Sequence, residues 1–412
     1  MSRKGPGLAP IFAAGFVLFG IANTMSGPLL PSLRLDYQMS LSEAGRLFSV
    51  QFTGFVLSVL VGGVIADIFG KRMFVLLGTA VLTCGLTLIG CFRSAWLLNI
   101  GFLTMGVGFG GFDAGLAPLV GDLNSDRRAF ALNLLHMFFG VGALIGPVWA
   151  SYFLSVAGPA GWRYVYLAAA GGSLLFLLAF GTCRVRPPVQ EGGTPGRKRF
   201  MSLVVDGRLR LLAGLACVYV GVESGVNAWV FSFLTETLKA TSAVAAAATC
   251  LFWASLSLGR LFSAYASERF GQELFIVCCC AGSVLAGLPL TMGPGVGVTL
   301  ASCAALGFFF SGIFPTIMAE GTSLFPGSTG SVTGMLVAAG AVGGALVPWL
   351  IGLVSDARSL ERGMALIPIG SGLMLALALA NKIRSGAPRR DVARCALDSR
   401  VLHDASHERR QP

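Results

Sequence analysis

Apolar residues in this chain gather into long runs separated by short polar breaks. A bilayer-spanning helix needs about 20 predominantly apolar residues. The sequence supplies twelve such runs, at 8–31, 44–66, 72–92, 96–121, 129–155, 163–182, 210–235, 243–266, 273–292, 296–319, 329–354 and 362–381. The basic start at Arg3 and Lys4 imitates a signal peptide, but the run behind it is too long for one and ends in Gly27, Pro28 and Pro31. It is read as a retained first helix. One long internal break, 183–209, holds Pro187, Pro188, Gly192, Gly193, Pro195 and a basic run at Arg197–Arg199, the composition of a flexible linker. The expected fold is an all-α membrane protein with twelve transmembrane helices in two six-helix bundles. Its parts are an N-terminal bundle at 1–182, a cytoplasmic linker at 183–209, a C-terminal bundle at 210–382 and a basic cytoplasmic tail at 383–412.

Composition narrows the class further. Of the 412 residues, 55% are hydrophobic and 12% charged, and mean hydropathy is +0.77. A soluble protein of this length lacks the interior to hide so many apolar side chains. That excludes a soluble enzyme and a disordered chain. The net charge of +11 suggests nucleic acid until the basic residues are placed: they sit in the loops and tails. With both termini cytoplasmic, 23 of the 30 Lys and Arg fall on the cytoplasmic side, as the positive-inside rule requires. The expected location is a cell (inner) membrane, crossed many times, with no nucleic-acid partner. The ten Cys lie mostly in apolar runs without a CxxC pair, so they read as packing residues and no metal site is expected.

The two halves repeat. Asp67 and Gly70 after the second span match Glu268 and Gly271 after the eighth, and Gly142 and Pro147 match Gly343 and Pro348, all at an offset of 201 residues. Internal repeats are expected of transporters whose site lies at the midplane between them.

Gly63-x-x-x-Asp67-x-x-Gly70-Lys71-Arg72 resembles the conserved loop motif of the major facilitator superfamily. Gly259-Arg260 with Glu268-Arg269-x-Gly271 resembles its second-half echo. The resemblance covers roughly 8–382 and implies the major facilitator fold. It also implies a gating role for Gly63, Asp67, Gly70, Lys71, Arg72, Arg260, Glu268 and Arg269, with Asp67 able to cap a helix N-terminus in the other bundle, a contact the helix dipole favours. A plain turn bearing positive-inside charges is the blander reading. A narrower resemblance, to the fucose permease-related sugar transporter branch, rests on Ala22-Asn23, Gly111-Phe-Asp113-Ala, Leu132–Pro147 and Ser311–Thr316. It implies that Asp113 takes part in sugar binding and proton coupling. At that branch's helix-1 carboxylate this chain has Gly27. Gly140-x-Gly142-x-x-x-Gly146-Pro147 also resembles, incompletely, the helix-5 motif of drug/proton antiporters.

Ionisable residues inside spans are costly and mark function by default. Asp113 in the fourth span and His136 in the fifth share a depth, and Asn133 lies on the same helix face as His136. Glu223 lies near the middle of the seventh span with Asn227 four residues on. Asn227 offers both a donor and an acceptor to a hydroxyl. Trp229 and Trp253 suit stacking on a sugar ring, or equally a place at the lipid interface. Asn23 and Gln51 are further polar candidates, for which helix–helix hydrogen bonding serves as well. No Walker loop is present, so no nucleotide drives the cycle and no cofactor is expected. The function expected is secondary transport of a small polar, sugar-like solute by alternating access, with the proton as coupling ion and the chain acting as a monomer in the lipid bilayer, not as an enzyme. The alternative is a proton-driven multidrug or metabolite efflux antiporter.

Overall fold

The structure is a computed structural model that describes residues 8–183, 185, 203, 205–292 and 295–386. Among the described residues, eleven helices are long and apolar enough to span a membrane, and a pair bent by 43°, Leu8–Thr24 and Ser26–Tyr37, makes a twelfth. We number the spans α1 (the bent pair), α2 (Leu41–Phe69), α3 (Lys71–Cys91), α4 (Ala95–Leu123), α5 (Arg128–Ala157) and α6 (Trp162–Thr182) in the first half. The second half holds α7 (Gly207–Thr237), α8 (Ser242–Phe270), α9 (Gln272–Met292), α10 (Val296–Leu324), α11 (Thr329–Ala357) and α12 (Leu360–Ser385).

Local chemistry sets the ends. Ser40 and Glu43 form a capping box at the start of α2, and the Asp206 carboxylate accepts from the Arg208 and Leu209 amides at the start of α7. Such caps satisfy helix-terminal N–H groups that have no intrahelical partner. Gly70 between α2 and α3 and Gly271 between α8 and α9 both adopt φ +84°, a conformation that glycine enters without the clash a Cβ brings. The repeat is thus written in the backbone as well as in the residues.

Buried apolar residues divide into two cores. One is built wholly from the first half, and the other almost wholly from the second, with a few first-half residues joining it. Within each half glycines let helices touch backbone to backbone: Gly142 of α5 lies against the Val17 carbonyl of α1, and Gly343 of α11 against the Cys217 carbonyl of α7. Small residues allow this approach in a bilayer, where packing and hydrogen bonds hold helices together.

The halves meet away from the face that carries the start of α1 and the end of α12, the terminal face. Near the opposite face, Gly45 and Gly352 bring α2 and α11 into backbone contact, and the Asp356 carboxylate of α11 accepts from the Leu41 and Ser42 amides of α2, each at 2.8 Å. Arg34 of α1 forms a two-pronged ion pair with Glu236 of α7 at 2.9 and 2.7 Å. At the terminal face the polar contacts among described residues stay within each half. Lys71 pairs with Asp122. Arg208 bridges Glu273 and Glu320 at 2.8 and 2.6 Å, and Asn381 also donates to Glu320. The molecule is closed at one face, and at the other no described hydrogen bond or ion pair joins the halves.

Candidate functional site: a polar layer between the two halves

A layer of inter-half contacts lies at mid-depth and forms a floor between the two halves. Asn227 of α7 is buried. Its Nδ2 donates to the Asn23 carbonyl of α1 at 3.4 Å, and its Oδ1 accepts from the Trp253 indole of α8 at 3.0 Å. The Trp253 ring meets Phe139 of α5 edge-on, with centroids 5.7 Å apart. Gly27 of α1 presses on the Asn227 carbonyl, and Gly140 of α5 on Ser257 of α8. Small side chains at 27 and 140 are what permit these crossings.

The ionisable side chains lie just to the terminal-face side of this floor. Glu223 is four residues from Asn227, His136 three from Phe139, and Arg260 three from Ser257, each about one helical turn. Glu223, His136, Arg260 and Asp113 are each part-exposed rather than sealed. Tyr219 lies one helical turn to the terminal-face side of Glu223, on the same face of α7. Arg260 lies within electrostatic reach of both Glu223 and His136. The His136 ring meets Phe16 of α1 edge-on at 5.6 Å. Asn133 is exposed, one turn closer to the terminal face than His136. Asp113 sits in a π-helical turn, Gly111–Leu116, inside α4. A π turn inserts one residue and re-aims the side chains around it, and such turns recur at functional sites. Gly111 makes room for it against Gly78 of α3.

The other sequence candidates have distinct places. Trp229 is fully buried and donates to the Pro348 carbonyl at 2.8 Å, so it fastens α7 to α11 within the second half. Gln51 is buried, and its Oε1 lacks a partner among the described residues. In the loop motif, the side chains of Gly63 and Asp67 lie outside the described residues. Lys71 holds the end of α4 through Asp122. Arg72 holds the end of α6 through the Gly181 and Cys183 carbonyls at 2.7 and 2.9 Å. Glu268 and Arg269 are exposed, Arg269 donating to Tyr265 on its own helix at 2.6 Å. Arg260 stands two to three turns away from these, level with the central layer. Sequence reasoning missed Arg34, Glu236 and Asp356. The only signal for Glu236 was an acid near the end of a span, where it sits in a second π turn, Phe233–Thr237.

Two repeated six-helix halves, closed together at one face, with ionisable side chains at mid-depth between them, define the build of a secondary transporter. The chain belongs to the Major Facilitator Superfamily, whose profile matches residues 12–348. It is 26% identical over 406 residues to Bypass of stop codon protein 6 of Saccharomyces cerevisiae, covering 88% of this chain and 79% of that protein. It is 22% identical over 372 residues to the glucose/mannose transporter GlcP of Bacillus subtilis, covering 87% and 92%. The crystal structure of the E. coli fucose:proton symporter FucP superposes with a TM-score of 0.65 at 18% identity, covering 92% of this chain and 99% of that one.

Proposed function

We propose that this chain moves a small polar, sugar-like solute across a cell (inner) membrane by alternating access, coupled to protons, and that it acts as a monomer without transforming the solute. The observation that carries the reading is the pair of part-exposed carboxylates inside spans, Asp113 in α4 of one half and Glu223 in α7 of the other, Glu223 one turn from the inter-half floor. Neither forms an ion pair among the described residues. An acid inside a membrane is expensive when charged and alone, so one that opens to water in one state and closes in another is suited to take up and release a proton. The glucose/mannose and fucose:proton relatives support a sugar as the solute. With both termini cytoplasmic, as the charge distribution favours, the face where the halves are latched together is the outer one, the arrangement of an inward-facing state. Asn133, Asn227, Asn23, Gln51 and Trp253 are the polar and aromatic groups available to the solute from this layer as the halves rock, while the loop motif works at the terminal face.

The test is uptake by purified protein in proteoliposomes, across a panel of monosaccharides, with and without an imposed pH gradient. At least one sugar should accumulate above equilibrium only when the gradient is present. Failure of every sugar, together with gradient-driven extrusion of amphipathic cations, would replace this reading with efflux.

A further inference from the structure

We propose that Arg260 binds the transported solute directly, as the positive pole of a site whose negative pole is Glu223, and does not serve the terminal-face gate. Three observations place it there. By height, Arg260 lies one turn to the terminal-face side of the Gly140–Ser257 crossing, opposite His136 on α5 and beside Tyr219 and Glu223 on α7. Its Nε is buried and has no acceptor among the described residues. A buried N–H without an acceptor is costly even on a part-exposed side chain, and buried polar groups in native structures are normally hydrogen-bonded. Finally, the repeat is broken at this position: the offset of 201 that pairs Gly70 with Gly271 pairs Arg260 with Val59, and Glu223 with Ala22. The turn and packing positions Gly70/Gly271, Gly142/Gly343 and Pro147/Pro348 recur in both halves, whereas these two charges occur in one.

The chemistry follows from the two charges. Arg260 and Glu223 lie within electrostatic reach of each other without a direct ion pair among the described residues, so a solute group that bridges them would satisfy both. A hydroxyl suits that role. Its oxygen accepts from the guanidinium while its proton goes to the carboxylate, and adjacent hydroxyls on one ring engage both poles at once. The solute class is therefore a polyhydroxylated ring with neighbouring hydroxyls. This deepens, and rests on, the sugar-transport reading above.

The test uses the full-length protein in proteoliposomes and whichever monosaccharide of the panel the wild type transports. Arg260→Lys keeps the charge and loses the fork. It should raise KM by roughly tenfold to a hundredfold, the loss expected for a charge-assisted hydrogen bond, with a smaller change in kcat. A deoxy analogue lacking the bridging hydroxyl should be discriminated against by the wild type and not by the variant. A gate residue would instead lower kcat and leave KM and that discrimination alone, which would overturn the proposal. Because the variant can fail to fold, the wild type is also treated with phenylglyoxal and the modified arginines are mapped by mass spectrometry. Saturating sugar should slow modification of Arg260, and unchanged modification would overturn the proposal. If the wild type transports no monosaccharide at all, the sugar reading falls first and this one with it; normal sugar transport with indifferent Arg260 behaviour defeats this one alone.

Discussion

Asp113 and Glu223 define what a single residue has to do in this molecule. Each sits inside a span without an ion pair among the described residues, and each has an uncharged analogue of nearly the same shape. Glu223→Gln or Asp113→Asn should keep the hydrogen-bonding capacity of the site and remove its titration. The expected outcome is that solute exchange between two equal pools persists while accumulation against a gradient is lost, read by counterflow and by pH-driven uptake on the same preparation. If both variants still accumulate solute in response to the pH gradient, the coupling does not pass through these acids. Gly70 and Gly271 have a different task. A Cβ at either would meet nothing within 4 Å, so any cost of Gly70→Ala or Gly271→Ala comes from the backbone at φ +84° alone. That cost is about 1–3 kcal/mol, and it should appear as a lower unfolding midpoint in detergent. An unshifted midpoint at both sites would show that the turn is free to relax.

Among the elements, α2 and α11 are the pair on which the state of the molecule turns. They run antiparallel. Near the opposite face Asp356 at the end of α11 caps the start of α2 through two backbone amides, a placement that the helix dipole rewards. We propose that Asp67, which the loop motif puts at the other end of α2, caps a helix N-terminus of the other half when the terminal face closes, so that α2 would gain a carboxylate contact at each end of the stroke. Asp356→Asn should weaken closure at the opposite face by about 0.3–2 kcal/mol and populate the state open there, while Asp67→Asn should shift the balance toward the state described above. Spin-label distances across each end of the α2–α11 pair would show the two variants moving in opposite directions. Movement in the same direction, or none, would refute the two-ended latch. The Arg34–Glu236 pair closes the same face from α1 and α7 and should act with Asp356.

For the molecule as a whole, the sequence displayed its architecture because the architecture is periodic. Twelve apolar runs, one polar break and an offset of 201 residues are features of the chain itself, and the twelve spans and the matched turns at Gly70 and Gly271 follow them. What stayed hidden depends on residues far apart in sequence. Arg34 and Glu236 are 202 residues apart, and Asp356 and Leu41 are 315 apart, so no local pattern announces either contact. Arg34 looked like one more charge in an outer loop. Trp229 looked like a ring for sugar stacking because it is an aromatic near Glu223; only the packing of α7 on α11 shows it sealed against Pro348. Arg260 adjoins a recognisable motif in sequence, yet helix geometry sets it two to three turns deeper than Glu268 and Arg269. Asp113, by contrast, was legible, since an acid in an apolar run needs no partner in sequence to stand out. The orientation of the whole is open to a simple check: reporters fused after Lys382 and within 190–198 should both register cytoplasm, and activity on the far side at either place would contradict the charge argument.

The central claim is that one molecule ties the passage of a sugar to the passage of a proton. It is tested most directly by following both at once, in proteoliposomes loaded with a pH-sensitive dye, as a sugar from the panel is added outside at equal pH. The account predicts that sugar entry is accompanied by alkalinisation of the external medium and acidification of the lumen, and that both signals vanish together in Glu223→Gln under net-flux conditions. Sugar entry with no proton movement in the wild type would contradict it.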